Sequence, residues 1–302
     1  MWILLAIVSS VCLGCYDVSK KRALTSNNVV VVLWFSVVCA SLLLLPLLLL
    51  SRVAPELLQG TLLYVPTIDA RTHGLILLKS VLVLSSRLFA YIAVKNLPIT
   101  FVSPINATRP MWTLLGAVVL FQEVLNGWQW GGIIIALVSF LAFSLVGQQE
   151  GIRFTHNRYV YAMLLGTFLG AVSGLYDKYL MRDIDHNAVL VYYTLYQCAL
   201  WSVAIALAAV CKPSFRLNIR QVARPLWIAG ISVFHILSDF VYFIALTYPD
   251  SLISVISTVR YSGVIIPFLY GSIVLHDKHP KTKGACLAGV LLGMLFLLVG
   301  SL

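Results

Sequence analysis

The chain has 302 residues, of which 60% are hydrophobic and only 11% are charged. A soluble globular domain carries about twice that share of charge, so this composition excludes a water-soluble protein. The formal net charge is +10, but there is no basic soluble domain with interleaved aromatic residues to bind nucleic acid. We therefore expect no nucleic-acid partner, and instead expect membrane lipids and a small organic anion as partners.

Apolar segments of about 20 residues recur along the whole chain, and a helix that rises ~1.5 Å per residue needs that length to cross a ~30 Å hydrocarbon core. We therefore predict an all-α integral membrane protein with ten transmembrane helices. The first segment lacks a charged start and a cleavage site of small residues, so it should persist as the first helix. The predicted spans are roughly residues 2–19, 28–51, 73–95, 98–121, 128–147, 159–176, 187–211, 224–246, 250–276 and 282–302.

An internal repeat divides the chain into two five-helix units, residues 1–147 and 148–302. Because five is an odd number of crossings, the second unit must enter the membrane from the opposite side. Inverted repeats place a substrate site near the midplane, between the units, and rocking of the units alternates its access. The pairs that match, first at a shift of 160 and then of 151 residues, are Gly14 and Gly174, Tyr16 and Tyr176, Asp17 and Asp177, Arg22 and Arg182, Asn27 and Asn187, Phe89 and Phe240, Tyr91 and Tyr242, Pro98 and Pro249, Arg109 and Arg260.

Basic residues inside the predicted spans point to the substrate. Arg109 and Arg260 each lie eleven residues after a proline, Pro98 or Pro249, which places each about 16 Å into the bilayer. A central arginine costs at least ~2.5–3.5 kcal/mol, so it should face a hydrated cavity or a partner. Since a guanidinium is always charged and fits carboxylate and phosphate groups, the two arginines predict an anion clamp. The other basic residues within spans are Lys79 and Arg87.

The alternative is that these arginines tie helices together through backbone carbonyls or a buried carboxylate. Asp239, with His235 one helical turn earlier, is one candidate partner. Asp17 and Asp177 are others, if their helices continue past them. All four residues are also candidates for coupling to protons, although for Asp17 and Asp177 capping of a helix end or pairing with Lys20 and Lys21 is an equal alternative. Four cations against three aspartates still leave a positive excess, so an anion is the natural missing partner.

Polar and aromatic residues near the arginines complete the predicted binding site. For the tyrosines, helix packing or interface anchoring is an equal alternative, and for the asparagine, hydrogen bonding between helices is one. Three prolines should loosen the fourth and ninth spans near this site, and they are Pro104, Pro110 and Pro267. The candidate ligand-contacting residues are Asn106, Tyr91, Tyr242, Ser257 and Tyr261.

No catalytic signature is present in the sequence, which contains no Walker loop and no metal-spaced cluster. Six cysteines lie mostly within spans without the paired spacing of a disulfide framework or zinc site. We therefore predict no cofactor, no metal and no enzymatic activity. In the tenth span, Gly289 and Gly293 form a small-xxx-small surface, which either packs on the fifth helix or joins two copies into a homodimer.

Loose motifs suggest a family. They are Leu13-Gly14 followed by Lys20 or Lys21, a third span that closes on Leu97-Pro98, a small and polar start to the fourth span, and Glu123 before Gly131. With them the sequence resembles the drug/metabolite transporter superfamily, and specifically its ten-helix EamA-type members. The second half departs further from this pattern. Asp277 stands where the acidic residue after the ninth span is expected, but three extra residues precede it. The resemblance implies secondary transport without ATP, and it implies no particular substrate.

Two arguments on orientation disagree. Most loop lysines and arginines, including Lys20, Lys21 and Arg22, lie on the side opposite the termini, so the positive-inside rule puts both termini outside. Many members of the superfamily that the sequence resembles keep both termini in the cytoplasm, so the resemblance implies the opposite orientation.

We therefore predict a secondary transporter that moves a small organic anion across the membrane by alternating access. The anion is a phosphorylated metabolite, a carboxylate or a lipid-linked phosphate, and the expected location is a bacterial cytoplasmic membrane. Two alternatives stay open. One is a broad-specificity exporter of amino acids or metabolites, in which Asp17 and Asp239 matter more than the arginines, and the other is a lipid-binding membrane protein that does not transport.

Overall fold

The computed structural model of the chain describes residues 1–121, 126–149, 156–211, 222–248, 251 and 253–301, and these residues form helices with no assigned strand. Glu123 and Pro249, which carry part of the predicted patterns, lie outside the described residues. The helices are α1 Trp2–Ser26, α2 Val29–Val53, α3 Pro55–Leu58, α4 Ala70–Asn96, α5 Ile99–Ala107, α6 Arg109–Phe121, α7 Gly127–Gln149, α8 Arg158–Leu180, α9 His186–Cys211, α10 Pro225–Thr247, α11 Ile253–Tyr261, α12 Ile265–Ile273 and α13 Pro280–Ser301.

These helices follow the order of the ten predicted spans when α5 with α6, and α11 with α12, are each taken as one span. Seven uninterrupted helices among the described residues are long and apolar enough to cross a bilayer, namely α1, α2, α4, α8, α9, α10 and α13. The apolar stretch Gly127–Phe143 within α7 is shorter. The all-α membrane fold is confirmed, whereas the count of ten crossings and the unit boundary at residue 147 stay predictions.

Proline interrupts the fourth span at the position of the predicted arginine. Pro110 lacks the amide N–H that would bond to the carbonyl of Asn106, and its ring crowds that turn. Accordingly α5 ends at Ala107, and α6 begins at Arg109.

The ninth span is interrupted in a related way. After α11 the chain makes a 3₁₀ turn over Ser262–Val264, and Pro267 leaves the carbonyl of Gly263 without a helical donor. This turn brings Gly263 against α1, where a methyl group on Gly14 would lie 2.8 Å from the Gly263 carbonyl oxygen. Glycine at both positions therefore permits the close approach of α1 to the interrupted span.

The contacts between helices keep the symmetry of the sequence repeat. α1 packs on α10 and α4 packs on α8, and these two pairs are equivalent when each span is exchanged with its counterpart. α2 packs on α9 and α7 packs on α13, and each of these pairs joins a span to its own counterpart. Contacts of this kind are required by a two-fold arrangement, and the inverted orientation of the units remains a proposal.

The glycines of the tenth span face α7 of the same chain. A Cβ atom on Gly293 would lie 2.7 Å from the carbonyl oxygen of Gly132, and one on Gly289 would overlap Ser139 Oγ. Small residues on both helices allow this approach of the backbones. Internal packing fills the surface, so a homodimer through Gly289 and Gly293 would require α7 to leave it.

α1 continues to Ser26, well beyond the predicted end of the first span at residue 19. As a result Lys20 lies inside a helix and is only 3% exposed. Lys21 donates to the carbonyl oxygens of Val94 and Leu97 at the end of α4. The positive-inside count therefore included Lys20, which does not lie in a loop.

Candidate functional site

A cavity of about 120 Å³ lies between the two predicted units. Its walls come from α1, α4, α5 and α6 of the first unit and from α8, α10 and α11 of the second. Because sites for drug-sized ligands measure ~300–1,000 Å³, this space suits a small molecule. Eight charged side chains line it, namely Lys20, Lys79, Arg87, Arg109, Arg260, Asp17, Asp177 and Asp239.

Each of the three aspartates forms a buried ion pair in the wall of the cavity. Removing one member of a buried pair typically costs ~3–5 kcal/mol, because an uncompensated charge is left behind. None of the three carboxylates is therefore free to bind a cation in this conformation. The pairs are Asp17 with Lys20, Asp177 with Lys79 and Asp239 with Arg260.

Arg260 is held entirely by groups of the second unit. Its guanidinium pairs with Asp239 and stacks on the ring of Tyr242, with 3.9 Å between the guanidinium carbon and the ring centroid. Asp239 also accepts a hydrogen bond from the hydroxyl of Tyr193. Nδ1 of His235 lies 3.7 Å from the same carboxylate. The charge of Arg260 is thus compensated locally.

Arg109 reaches from the start of α6 to α8, and the acceptors that it meets among the described residues are all neutral. Its Nε donates to the carbonyl oxygen of Thr167 and its Nη2 donates to Ser86 Oγ, both at 3.3 Å. Its Nη1 donates to the hydroxyl of Tyr261. The guanidinium lies directly against Gly170, where a Cβ atom would overlap it. Glycine at this position makes room for the charged group.

Arg87 is the second guanidinium that contacts no carboxylate among the described residues. Its Nη1 donates to Gln197 Oε1 at 2.9 Å. Its Nη2 lies 3.3 Å from Ser36 Oγ and 3.4 Å from the Tyr91 hydroxyl, and donates to both. The side chain is buried and lines the cavity. It presents a full positive charge that these neutral groups orient but do not cancel.

The cavity therefore carries a formal charge of +2, because five cationic and three anionic side chains line it. The excess resides on Arg87 and Arg109, since every other cation in the wall has a carboxylate partner. A guanidinium cannot lose its proton to escape this situation. Uncompensated charge in a poorly polar environment is costly, and the excess of +2 makes the cavity a site of positive potential.

Comparison with known proteins identifies the first unit. Residues 1–145 match the EamA-like transporter family. The resemblance to the drug/metabolite transporter superfamily is thereby confirmed, and an EamA-like chain is expected to be a membrane transporter of small molecules. The comparison with curated proteins found no match.

A solved structure described as "Crystal structure of protein" shares the fold of this chain. The two superimpose with a TM-score of 0.65, over 97% of this chain and 98% of that chain, at 11% sequence identity. At this identity the likeness shows the fold alone. It nevertheless extends over both units, including the second, which the family match does not reach.

Most of the residues predicted for the site surround this one cavity. Tyr91 and Ser257 are buried outside its lining, and the hydroxyl of Tyr91 accepts a hydrogen bond from Arg87. The roles of all these residues in binding and coupling stay predictions. The predicted residues that line the cavity are Lys79, Arg87, Asn106, Arg109, Tyr242, Arg260, Tyr261, Asp17, Asp177, Asp239 and His235.

The arrangement differs from the predicted clamp of two equivalent arginines. Arg260 has an acidic partner in Asp239, but the residue that corresponds to Asp239 in the first unit, at a shift of 151, is Leu88. Arg109 therefore has no equivalent carboxylate to pair with. The two guanidinium groups with uncompensated charge are Arg87 and Arg109, which both lie in the EamA-like part of the chain.

Several residues of the site were missed from the sequence, among them Ser86, Gly170 and Gln197, which hold or make room for Arg87 and Arg109. Lys20 was considered as a partner of Asp17 but was counted in a loop, although its spacing of three from Asp17 is that of neighbours on a helix surface. Gln197 is a polar residue in an apolar span, which is a recognisable signal. Ser86 and Gly170 carry no such signal, because small residues are common in membrane helices.

Proposed function

We propose that this chain is a secondary transporter that moves a small organic anion across the membrane by alternating access. The observation that carries the proposal is the formal charge of +2 in the cavity, which resides on Arg87 and Arg109. An anion compensates this charge, and guanidinium groups bind carboxylate or phosphate oxygens through charge-assisted hydrogen bonds.

Two further features support alternating access. The four most extensive helix contacts, α7 with α13, α1 with α10, α4 with α8 and α2 with α9, are unchanged by exchange of the two units, as expected if the units exchange roles between states. The interrupted spans border the cavity through Asn106 and Arg109 on one side and through Arg260 and Tyr261 on the other. Interruptions of this kind allow the two ends of a span to move separately.

An exporter of amino acids that recognises the amine through an aspartate has less support. Asp17, Asp177 and Asp239 are each paired with a cation already present in the chain. An ammonium group on the substrate would have to displace one of these cations. An anionic group on the substrate meets two guanidinium groups without any such exchange.

Uptake by the purified protein in liposomes tests the proposal. Radiolabelled glycerol 3-phosphate, succinate and glutamate serve as anionic probes, with glucose and choline as neutral and cationic probes. We expect uptake of at least one anion, and no uptake of glucose or choline. Uptake of choline or glucose in preference to all anions would refute the proposed function.

Variants then connect uptake to the site. A hydrogen bond to a charged group contributes ~1.5–3 kcal/mol, so Arg109→Gln and Arg87→Gln should each lower the affinity for the anion by about tenfold to 150-fold. Arg158→Gln is the matched control, because Arg158 is exposed at the start of α8 and its hydrogen-bond acceptor among the described residues is the neighbouring Tyr159. Anion uptake that is the same in all three variants would remove the cavity from the mechanism.

A further inference from the structure

A second, narrow pocket continues from the cavity toward the end of the molecule where α1 ends and α5 begins. It shares Asp17, Lys20 and Asn106 with the cavity. Beyond these residues it is lined from α4, α5 and α12, and Ile99 and Ser103 belong to this outer part. The two spaces therefore follow one another along α1, with the shared residues at the boundary between them.

Lys20 stands at this boundary with unused hydrogen-bonding capacity. An ammonium group has three donors, and the acceptor that Lys20 uses among the described residues is Asp17. The rings of Tyr16 and Tyr91 lie 4.6 and 5.7 Å from its nitrogen, measured to the ring centroids. An anion that leaves the cavity in this direction meets the ammonium group of Lys20 first.

A polar contact between the two units bridges the outer end of the narrow pocket. Asp277 Oδ2 accepts hydrogen bonds from the Thr100 amide at 3.1 Å and from the Thr100 hydroxyl at 2.8 Å. Lys283, which is fully buried, donates to the same hydroxyl at 3.2 Å. Thr100 directly follows Ile99 of the pocket lining, whereas Asp277 and Lys283 belong to the second unit.

We propose that the narrow pocket is the route by which the transported anion reaches this end of the molecule. Lys20 binds the anion on the way, and the contact of Asp277 with Thr100 closes the route. The nature of the cargo rests on the proposed function. Because Asp277 and Thr100 lie in different units, rocking of the units separates them. Their hydrogen bonds are then exchanged for hydrogen bonds to water, and such an exchange is reversible.

The chain contains a matched control for simple helix capping. Asp69 accepts hydrogen bonds from the amide and the hydroxyl of Thr72 at the start of α4, the same two kinds of donor that Asp277 receives from Thr100. Asp69 is exposed, lies within one unit and stands at the end of α4 remote from α5. Replacing Asp69 therefore removes a helix cap without touching a contact between units.

Cysteine accessibility tests the closure without any transported solute. In a variant with its six native cysteines replaced, Ser103→Cys places a thiol in the narrow pocket. An anionic, membrane-impermeant methanethiosulfonate reagent is applied to right-side-out and to inverted vesicles. Asp277→Ala should raise the labelling rate about tenfold from one side only, as expected for loss of a charge-assisted hydrogen bond from the closed state. Asp69→Ala should leave the rate within about twofold.

Two results would overturn the closure: no faster labelling in Asp277→Ala, or an equal rise in Asp69→Ala. If Asp277→Ala is not recovered as folded protein, Thr100→Val decides. This variant keeps the backbone donor and loses the hydroxyl, so a rise of about threefold from the same side is expected. The absence of that rise contradicts the proposal.

The role of Lys20 is tested by charge selectivity at the thiol introduced by Ser103→Cys, in the Asp277→Ala background. The measured quantity is the labelling rate of the sulfonate reagent divided by that of a trimethylammonium reagent. The double variant Lys20→Met with Asp17→Asn conserves the formal charge, yet it should lower this ratio about fivefold because the ammonium donors are lost. An unchanged ratio means that the pair is structural and refutes the role of Lys20.

These results separate the route from the cargo. Labelling that behaves as expected in a protein that takes up no anion would refute the proposed function and retain the route. Anion uptake combined with labelling that does not respond to Asp277→Ala would refute the route and retain the proposed function.

Discussion

Gly170→Ala is the substitution that tests the position of Arg109 most directly, because it leaves every charge in place. A Cβ atom at this position would overlap the guanidinium of Arg109, so the charged group has to move. Its hydrogen bonds to Thr167 and Ser86, both at 3.3 Å, are then lost or weakened. Overfilling a packed site costs ~1–3 kcal/mol. A displaced guanidinium also forfeits its bond to the anion, worth ~1.5–3 kcal/mol or about tenfold to 150-fold in affinity.

Gly174→Ala is the matched control for this prediction. Gly174 lies one turn later in α8 and lines the same cavity. A Cβ atom there would meet only the hydroxyl of Tyr242, at an ordinary contact distance of 3.9 Å. Binding of the anion that proves to be transported, measured by calorimetry in detergent, should therefore change by less than about twofold. Uptake into liposomes is measured on the same two variants.

A double-mutant cycle identifies the result that would refute this reasoning. In the Arg109→Gln background the guanidinium is absent, so adding Gly170→Ala should have little further effect on binding. If Gly170→Ala lowers binding equally in both backgrounds, it acts through the helix and not through Arg109. If it has no effect in either background, Arg109 does not contact the anion.

The remaining predictions concern stability, followed by thermal unfolding in detergent. Asp177→Asn should destabilise the protein by ~3–5 kcal/mol because Lys79 is left buried without its partner. Combining Lys79→Met with Asp177→Leu should recover most of this loss. Equal unfolding midpoints for the single and the double variant would contradict the pairing. Gly293→Ala should lower stability by ~1–3 kcal/mol because its methyl group would lie 2.7 Å from the Gly132 carbonyl oxygen. Gly284→Ala, with only an ordinary contact at 3.7 Å, should not lower it. An unchanged midpoint with altered light-scattering mass in Gly293→Ala would instead favour a homodimer.

The all-helical membrane fold could be predicted from the sequence because length and apolarity alone decide which segments can cross a bilayer. The interruptions of the fourth and ninth spans were also predictable, since Pro110 and Pro267 remove backbone donors at fixed positions. The end of α1 was not predictable in the same way. The charged run from Lys20 to Arg22 is typical of a loop, but the helix continues because each of these charges has a partner, Asp17 of α1 itself for Lys20 and groups of other helices for Lys21 and Arg22.

The cavity as a whole was predictable because charged side chains in a membrane protein must meet one another or water. The partners were not predictable, since hydropathy does not say which carboxylate faces which cation. Asp239 was one of three candidates for Arg260, and only the crossing of α10 with α11 selects it. The guanidinium of Arg87 is oriented by its hydrogen bond to Gln197 of α9, and no spacing along the chain predicts this contact.

The two units contribute unequally to the charge of the cavity, and this inequality is the physical basis of the proposed preference for anions. The first unit supplies four cations and one carboxylate, a formal charge of +3, whereas the second unit supplies two carboxylates and Arg260, a formal charge of −1. The opposite charges hold the units together, as the pair of Lys79 with Asp177 shows. The attraction is incomplete, however, because the second unit has too few carboxylates to match the first. Under the proposed function, an anion in the cavity would supply the missing charge, so its arrival would favour closer contact of the units and its departure would weaken it. In this proposal anion binding is therefore coupled to rocking of the units through the same surplus of cations, without any need for two symmetric arginines.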